Sequence, residues 1–85
     1  MSAYDEAYDI IVNMAKAKMT MNSHKGRIEN IPSDRIAELC IEEVRELQQA
    51  IKDGDVIKII EEAGDVLNFA VAAVQQALIK YRSRQ

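Results

Sequence analysis

Apolar residues recur every three or four positions along most of the chain, which is the period of amphipathic helices. The first stretch of this kind predicts a helix over about residues 3–19. Ser2 and Asp5 have the spacing of a capping box at its start. The apolar face of this helix consists of Tyr4, Ala7, Tyr8, Ile11, Met14 and Ala15.

A helical hairpin is predicted in the second half of the chain. Its first arm is expected over about residues 33–53, from the N-cap Ser33 to a stop at Gly54. Its second arm is expected over about residues 55–81, with Asp55 as N-cap. The predicted fold is therefore all-α, a single domain over residues 1–85 in which an N-terminal helix joins a helical hairpin. The apolar arc of the first arm consists of Ile36, Leu39, Cys40, Val44, Leu47, Ala50 and Ile51.

The second arm carries no charged residue from Val66 to Ile79. A helix that is apolar nearly all round needs covering on more than one side, which a chain of three helices cannot easily provide. We therefore expect a homodimer or a tetramer, assembled as a helical bundle largely through this helix. Gly64 lowers the helix propensity of the arm, and we expect it to allow the close approach of a neighbouring helix or a ligand.

Residues 20–32 have no helical period and are expected to form a loop. A connection of about a dozen residues is long for a compact domain, and this one contains His24, Lys25 and Arg27. One interpretation is a solvated connector. The other is a segment that closes on an anionic substrate, with Lys25 as a substrate contact. We assign no catalytic role to His24.

Two pairs of carboxylates flank the predicted turn at equal distances. Counted from Gly54, Glu46 and Glu62 each lie eight residues away, and the other pair, Glu43 and Asp65, lies eleven residues away. In an antiparallel hairpin, residues equidistant from the turn lie at one level, so we expect the four carboxylates to converge. Glu43 also falls inside the apolar arc of its helix, where an unpaired charge is costly. Because such a cluster repels itself, the pattern favours a site for a hard divalent cation such as Mg²⁺.

Composition narrows the classes of partner. The net charge of −3 over 85 residues argues against a nucleic-acid partner. No uncharged apolar run is long enough to span a membrane, and the acidic start has no signal-peptide hydrophobic run. The single cysteine, Cys40, cannot form an internal disulfide, which favours a reducing, cytoplasmic setting.

The order of the acidic residues resembles the signature of the MazG-like all-α nucleoside triphosphate pyrophosphohydrolases. The pattern is E-E-x-x-E, fifteen residues and then E-x-x-D, formed here by Glu42, Glu43, Glu46, Glu62 and Asp65. The resemblance covers the two arms of the hairpin. It implies a dimer or a dimer of dimers that hydrolyses a nucleoside triphosphate to the monophosphate and pyrophosphate. It also implies Mg²⁺ as the cofactor, or Mn²⁺ in its place.

The resemblance implies roles for six carboxylates. Glu42 matches the first glutamate of the signature and is implied to act in catalysis, by orienting a water or by supporting the ligands. The same role is open to Glu61, and for both residues a solvated helix face is an equal alternative. The implied metal ligands are Glu43, Glu46, Glu62 and Asp65.

Two further residues are expected to contact the substrate by the same resemblance. Lys58 matches a lysine of some family members and is implied to touch phosphate. Its alternative is an ion pair along the helix with Glu61 or Glu62. Asn68 follows a run, residues 62–66, that resembles small stand-alone members of the family.

Two other functions compete with the enzyme. A non-catalytic helical oligomerisation or interaction module would explain the long apolar helix, but it would not explain Glu43 in the apolar arc. A di-iron bundle usually needs Glu-x-x-His pairs, and the only histidine, His24, lies outside both arms.

Overall fold

A computed structural model of the chain describes residues 2–21 and 31–84. It contains three α-helices, which are α1 (Ala3–Met21), α2 (Ser33–Asp53) and α3 (Val56–Arg82). The described residues include no strand, so the predicted all-α class is confirmed. His24 and Lys25 of the expected loop lie outside the described residues.

Local hydrogen bonds explain where α1 begins and ends. The Ser2 N–H donates to the Asp5 carboxylate over 2.9 Å, which is one half of the predicted capping box. The helix continues two residues beyond its expected end, to Met21. There the Thr20 hydroxyl donates to the Lys16 carbonyl over 3.1 Å. Residues 20 and 21 therefore belong to the helix and not to the expected loop.

The hairpin turn is formed as its residues predict. Gly54 adopts a left-handed backbone with φ of 68°, which side chains with a Cβ rarely adopt. Its N–H donates to the Ile51 carbonyl over 3.1 Å and closes the end of α2. The Asp55 carboxylate then accepts from the Lys58 N–H over 3.1 Å and caps α3. The turn therefore sets α2 and α3 antiparallel with a defined register.

The start of α2 differs from the expectation. Pro32 occupies the N-cap position without a side-chain hydrogen bond, and Ser33 is the first helical residue, so the prediction of Ser33 as N-cap is wrong. The reason is a tertiary contact, since the Ser33 hydroxyl donates to the side-chain oxygen of Gln76 on α3. The Gln76 amide in turn donates to the Ile31 carbonyl over 2.7 Å. These bonds attach the start of α2 to the second half of α3.

Helix α3 lies at the centre of the fold. Both α1 and α2 pack against it, and within the described residues α1 and α2 do not pack on each other. On α3, the buried residues Gly64, Asn68 and Ala72 recur every four positions and so form one face. Small side chains on this face allow a neighbouring helix to come close. Inspection of the described helices finds none that is long and apolar enough to cross a membrane.

Gly64 is the point where α1 comes closest to α3. A Cβ at this position would lie 3.0 Å from Cγ of Met14 and 3.3 Å from the backbone nitrogen of Ala15. One turn further along α3, the Asn68 amide donates to the Ala15 carbonyl over 2.9 Å. The expectation that Gly64 admits a neighbouring helix is therefore confirmed, and that helix is α1.

The core is built from small residues and leaves large ones outside. The buried apolar residues are Ala15, Ile36, Ala50 and Ala72, and no large side chain among the described residues is fully buried. Large apolar side chains are exposed on each helix, with exposed fractions of 67% for Tyr8, 58% for Ile51 and 59% for Val74. The three helices therefore leave much apolar surface uncovered.

We expect Gly64→Leu to destabilise the fold. A branched side chain at this position must push α1 away from α3, and overpacking of this kind costs about 1–3 kcal/mol. Urea unfolding followed by circular dichroism measures the change. Ala37→Leu, on the exposed face of α2, is the matched control and should stay within about 0.5 kcal/mol of wild type. Equal stability of the two variants would show that Gly64 is not a close contact.

Candidate metal centre

Three carboxylates meet where α2 faces α3. Glu43 comes from α2, and Glu62 and Asp65 come from α3. Each offers one oxygen, and these oxygens all lie within 4.8 Å of one another. Oxygens bound at about 2.1 Å to one Mg²⁺ lie roughly 3–4 Å apart. Small side-chain movements would therefore bring all three onto a single ion.

Glu62 is the most deeply placed carboxylate of the group. Its residue is only 4% exposed, and its Oε2 atom has no hydrogen-bond partner among the described residues. The other oxygen, Oε1, lies 3.4 Å from Nζ of Lys58. A buried carboxylate oxygen without a partner is costly, and a cation would remove that cost. The all-oxygen donor set and this unpartnered atom together fit a hard divalent ion.

Glu43 shows the electrostatic consequence of the cluster. Burial, followed by the charges of Glu46, Asp65 and Glu62, raises the pKa of the Glu43 carboxyl to about 7. This side chain is therefore still partly protonated near neutral pH. The raised pKa has the direction expected when like charges share a site.

Lys18 of α1 brings a positive charge to the cluster. Its Nζ donates to Oδ2 of Asp65 over 2.8 Å, and the two side chains are 20% and 21% exposed. Burial alone would lower the pKa of Lys18, but the Asp65 hydrogen bond and the charges of Asp65, Glu62 and Glu61 outweigh it and raise that pKa. The ammonium group is therefore held in its charged form next to the carboxylates.

This position of Lys18 was not predicted from the sequence. The pattern did contain a signal, because Lys18 lies four residues after Met14 and three after Ala15. It therefore continues the apolar face of α1. A charge on a face that packs against another helix needs a partner.

The other carboxylates predicted to belong to the site are Glu42, Glu46 and Glu61. Glu46 is exposed and is not one of the three that meet, although it hydrogen-bonds Glu43 and contributes to its raised pKa. Glu42 is exposed, and Glu61 is partly buried. Glu61 is near enough to Lys18 to contribute to its raised pKa. Glu61 therefore borders the site.

The residues predicted to contact the substrate fall in three different places. Lys58 pairs with Glu62 at the edge of the site, and its side chain is 55% exposed. Asn68 is buried, and its amide donates to the Ala15 carbonyl, so it links α3 to α1. Lys25 lies outside the described residues. Substrate contact by these residues stays a prediction.

The comparison with family models identifies a relationship that covers nearly the whole chain. The model of the family described as phosphoribosyl-ATP pyrophosphohydrolase matches residues 5–83, which include most of α1 and all of the hairpin. No curated protein and no solved structure matches the chain significantly. The relationship therefore rests on the family model, and it extends beyond the hairpin to the helix that carries Lys18.

We expect the metal-free chain to lose stability as the pH rises from about 4.5 to about 7, and Glu43→Gln to remove this loss. Folded Glu43 keeps its proton up to about pH 7, whereas its ordinary pKa is 4.5. The folded state therefore binds more protons in this interval, and the free energy of unfolding falls with pH.

Urea unfolding in the presence of a chelator, at a series of pH values, measures the effect. Glu42→Gln changes the adjacent exposed carboxylate, and its free energy of unfolding should depend on pH as that of the wild type does. A pH dependence that is the same in wild type and Glu43→Gln would contradict the assignment to Glu43.

Proposed function

This chain belongs to the phosphoribosyl-ATP pyrophosphohydrolase family, which is part of the MazG-like all-α superfamily, and we propose that it is a Mg²⁺-dependent nucleoside triphosphate pyrophosphohydrolase. The proposed reaction converts a ribo- or deoxyribonucleoside triphosphate and water into the monophosphate and pyrophosphate. The observation that carries the proposal is the convergence of Glu43, Glu62 and Asp65, among which the buried Glu62 has an oxygen, Oε2, without a hydrogen-bond partner among the described residues. Mn²⁺ is the proposed substitute for Mg²⁺.

In this proposal, Glu43, Glu62 and Asp65 hold the metal, and Glu46 completes the set from its exposed position beside Glu43. When bound, the divalent ion neutralises phosphate charge and makes a bound water more acidic. Glu43 must give up its proton to act as a ligand. Because the pKa of its carboxyl is about 7, this proton is released readily near neutral pH.

The other residues of the site orient the reactants. In the reaction, the water oxygen forms a bond to the α- or the β-phosphorus, and the phosphoanhydride bond between these two phosphates breaks. The group on the other side of that bond, pyrophosphate or the nucleoside monophosphate, leaves with the electron pair. Glu61, at the border of the site, and Glu42, on the exposed face of α2, are the proposed groups that orient the water and accept its proton. Catalysis of phosphoryl transfer is mostly positioning and electrostatics, so carboxylates suffice without a side-chain nucleophile.

Lys58, Lys25 and Asn68 are the proposed substrate contacts. Lys58 has the strongest support, because its ammonium group lies at the edge of the site and its side chain is half exposed. The ammonium group could leave Glu62 and bind a phosphate oxygen if a bound metal neutralised that carboxylate. To contact the substrate, Asn68 would have to use the amide atoms that do not bond the Ala15 carbonyl.

The family description names phosphoribosyl-ATP, which is a derivative of a nucleoside triphosphate. The same acidic site suits both kinds of substrate, since a metal held there would bind the triphosphate and not the base. Phosphoribosyl-ATP is therefore the second candidate substrate, and both belong in any test of activity.

We also propose that the chain works as a homodimer or a dimer of dimers. The chain exposes 6506 Å², whereas a folded monomer of 9.6 kDa is expected to expose about 5,100 Å². The excess of about 1,400 Å² is larger than the roughly 800 Å² that each partner buries in a standard interface. One uncovered surface is a groove of about 420 Å³ between α1 and α3, lined almost wholly by apolar atoms. Another is the exposed face of α3 around Val74.

A cytoplasmic setting without nucleic-acid or membrane partners completes the proposal. It is supported by the net charge of −3 and the single Cys40. The alternative function is a non-catalytic interaction module, which the exposed apolar side chains on all three helices favour. The module does not require an unpartnered buried carboxylate oxygen, and activity measurements separate the two.

We expect a panel of ribo- and deoxyribonucleoside triphosphates, together with phosphoribosyl-ATP, to yield pyrophosphate in the presence of Mg²⁺ and none with a chelator. Glu62→Gln should lower the rate by about 100-fold or more, since it removes the deepest ligand. Glu38→Gln, which changes an exposed carboxylate that pairs with Arg35, should retain activity. Orthophosphate as the first product would contradict the reaction, and inactivity on the whole panel would favour the interaction module.

We expect light scattering to give a mass of two or four chains for the wild type. Val74→Arg places a charge on the exposed apolar face of α3 and should shift the protein toward smaller species, because a charge is costly to bury in an interface. Gln48→Arg, on the polar side of α2, is the control and should leave the mass unchanged. A monomeric wild type at micromolar concentration would refute the proposed assembly.

A further inference from the structure

Lys18 lies outside the acidic signature, yet its ammonium group is the nearest described cation to Asp65, at 2.8 Å from Oδ2. We propose that Lys18 is a built-in counter-cation of the metal centre, which holds Asp65 before the divalent ion binds and thereby sets the affinity for that ion. Lys18 is a positioning residue that acts through Asp65. The inference rests on the proposed function, because it takes Asp65 as a metal ligand.

Lys18 and a divalent ion would compete for one carboxylate, that of Asp65. Asp65 offers one of the three oxygens that meet within 4.8 Å, and its Oδ2 accepts from Lys18. Two positive groups at one carboxylate repel each other, and an ammonium and a divalent ion at this spacing would do so strongly. We therefore expect binding of the divalent ion to weaken the bond from Lys18 to Asp65.

The stability of the metal-free site also depends on Lys18. Glu61 and Glu62 also attract the Lys18 ammonium group, so its charge offsets repulsion from several carboxylates. Without it, the cation left beside the cluster among the described residues would be Lys58, whose side chain is half exposed. Lys18 therefore favours the metal-free state, and any group that favours the free state lowers the affinity for the ligand.

The place of Lys18 on α1 determines how it can leave Asp65. Its helix is fixed one turn earlier, where Ala15 accepts a hydrogen bond from Asn68 and lies against Gly64. The four-carbon stem of the lysine can rotate without movement of that anchored turn. The side chain is 20% exposed, so solvent is within its reach. The exchange therefore needs a side-chain movement and no rearrangement of the helices.

Metal binding by Lys18→Met tests the proposal. Methionine keeps most of the stem and removes the charge, so the variant should bind Mn²⁺ more tightly, on the order of fivefold, as expected for loss of a competing ion pair. Electron paramagnetic resonance of free Mn²⁺ measures the affinity, and calorimetry does the same for Mg²⁺. Lys18→Arg keeps the charge and should bind like wild type. Lys16→Met, an exposed lysine on the same helix, should also bind like wild type.

A measurement on the wild type keeps the test independent of how the variant folds. Amine labelling followed by mass spectrometry gives the reactivity of each lysine, with Lys16 as the internal reference. We expect Mg²⁺ to increase the reactivity of Lys18 relative to Lys16 by severalfold, because the ion releases it from Asp65.

The outcomes separate this inference from the proposed function. Unchanged or weaker Mn²⁺ binding by Lys18→Met, with wild-type binding intact, overturns the role of Lys18 alone. So does a Lys18 reactivity that Mg²⁺ leaves constant or lowers. If neither wild type nor Lys18→Met binds Mn²⁺, the metal centre fails, and the role of Lys18 fails with it.

Discussion

Repulsion between carboxylates is the interaction around which this small fold is arranged. Three acidic side chains from two helices lie with oxygens within 4.8 Å of one another, and Glu62 among them is almost fully buried. Such an arrangement persists only if the backbone imposes it, because the side chains would separate if they were free. The hairpin imposes it through its turn, where Gly54 ends α2 and Asp55 starts α3. The bonds of Ser33 and Ile31 to Gln76 hold the opposite end.

The position of α1 is also related to the repulsion between the carboxylates. Gly64 and Asn68 draw Ala15 close to α3, and one turn later Lys18 reaches Asp65. A larger residue at Gly64 would move the lysine together with the helix. The glycine therefore has two effects, since it packs two helices and also brings a positive charge to the carboxylates. Glycine lowers the helix propensity at this position, and the close approach of α1 that it allows offsets this cost.

Sequence patterns could predict what depends on local rules and on symmetry about the turn. The three helices, the Gly54 stop and the Asp55 cap follow from period and capping chemistry, and the meeting of Glu43 with Asp65 follows from equal distances to Gly54. The Pro32 cap and the bond between Asn68 and Ala15 depend on which helix faces which, and a single sequence does not state this. Lys18 was recognisable in principle, by the reasoning that singled out Glu43, because both charges interrupt an apolar face.

The small core and the acidic site bear on the same property, which is stability. The buried apolar residues are mostly alanines, so hydrophobic burial within one chain is modest. A cluster of like charges reduces stability further.

Anything that binds only the folded chain raises its stability by mass action, and a cation at the carboxylates or a second copy on the apolar faces would act in this way. Because α3 provides both Glu62 and the exposed apolar face around Val74, the two kinds of binding would stabilise the same helix. Metal loading and assembly are therefore expected to reinforce each other, since each orders the element on which the other depends.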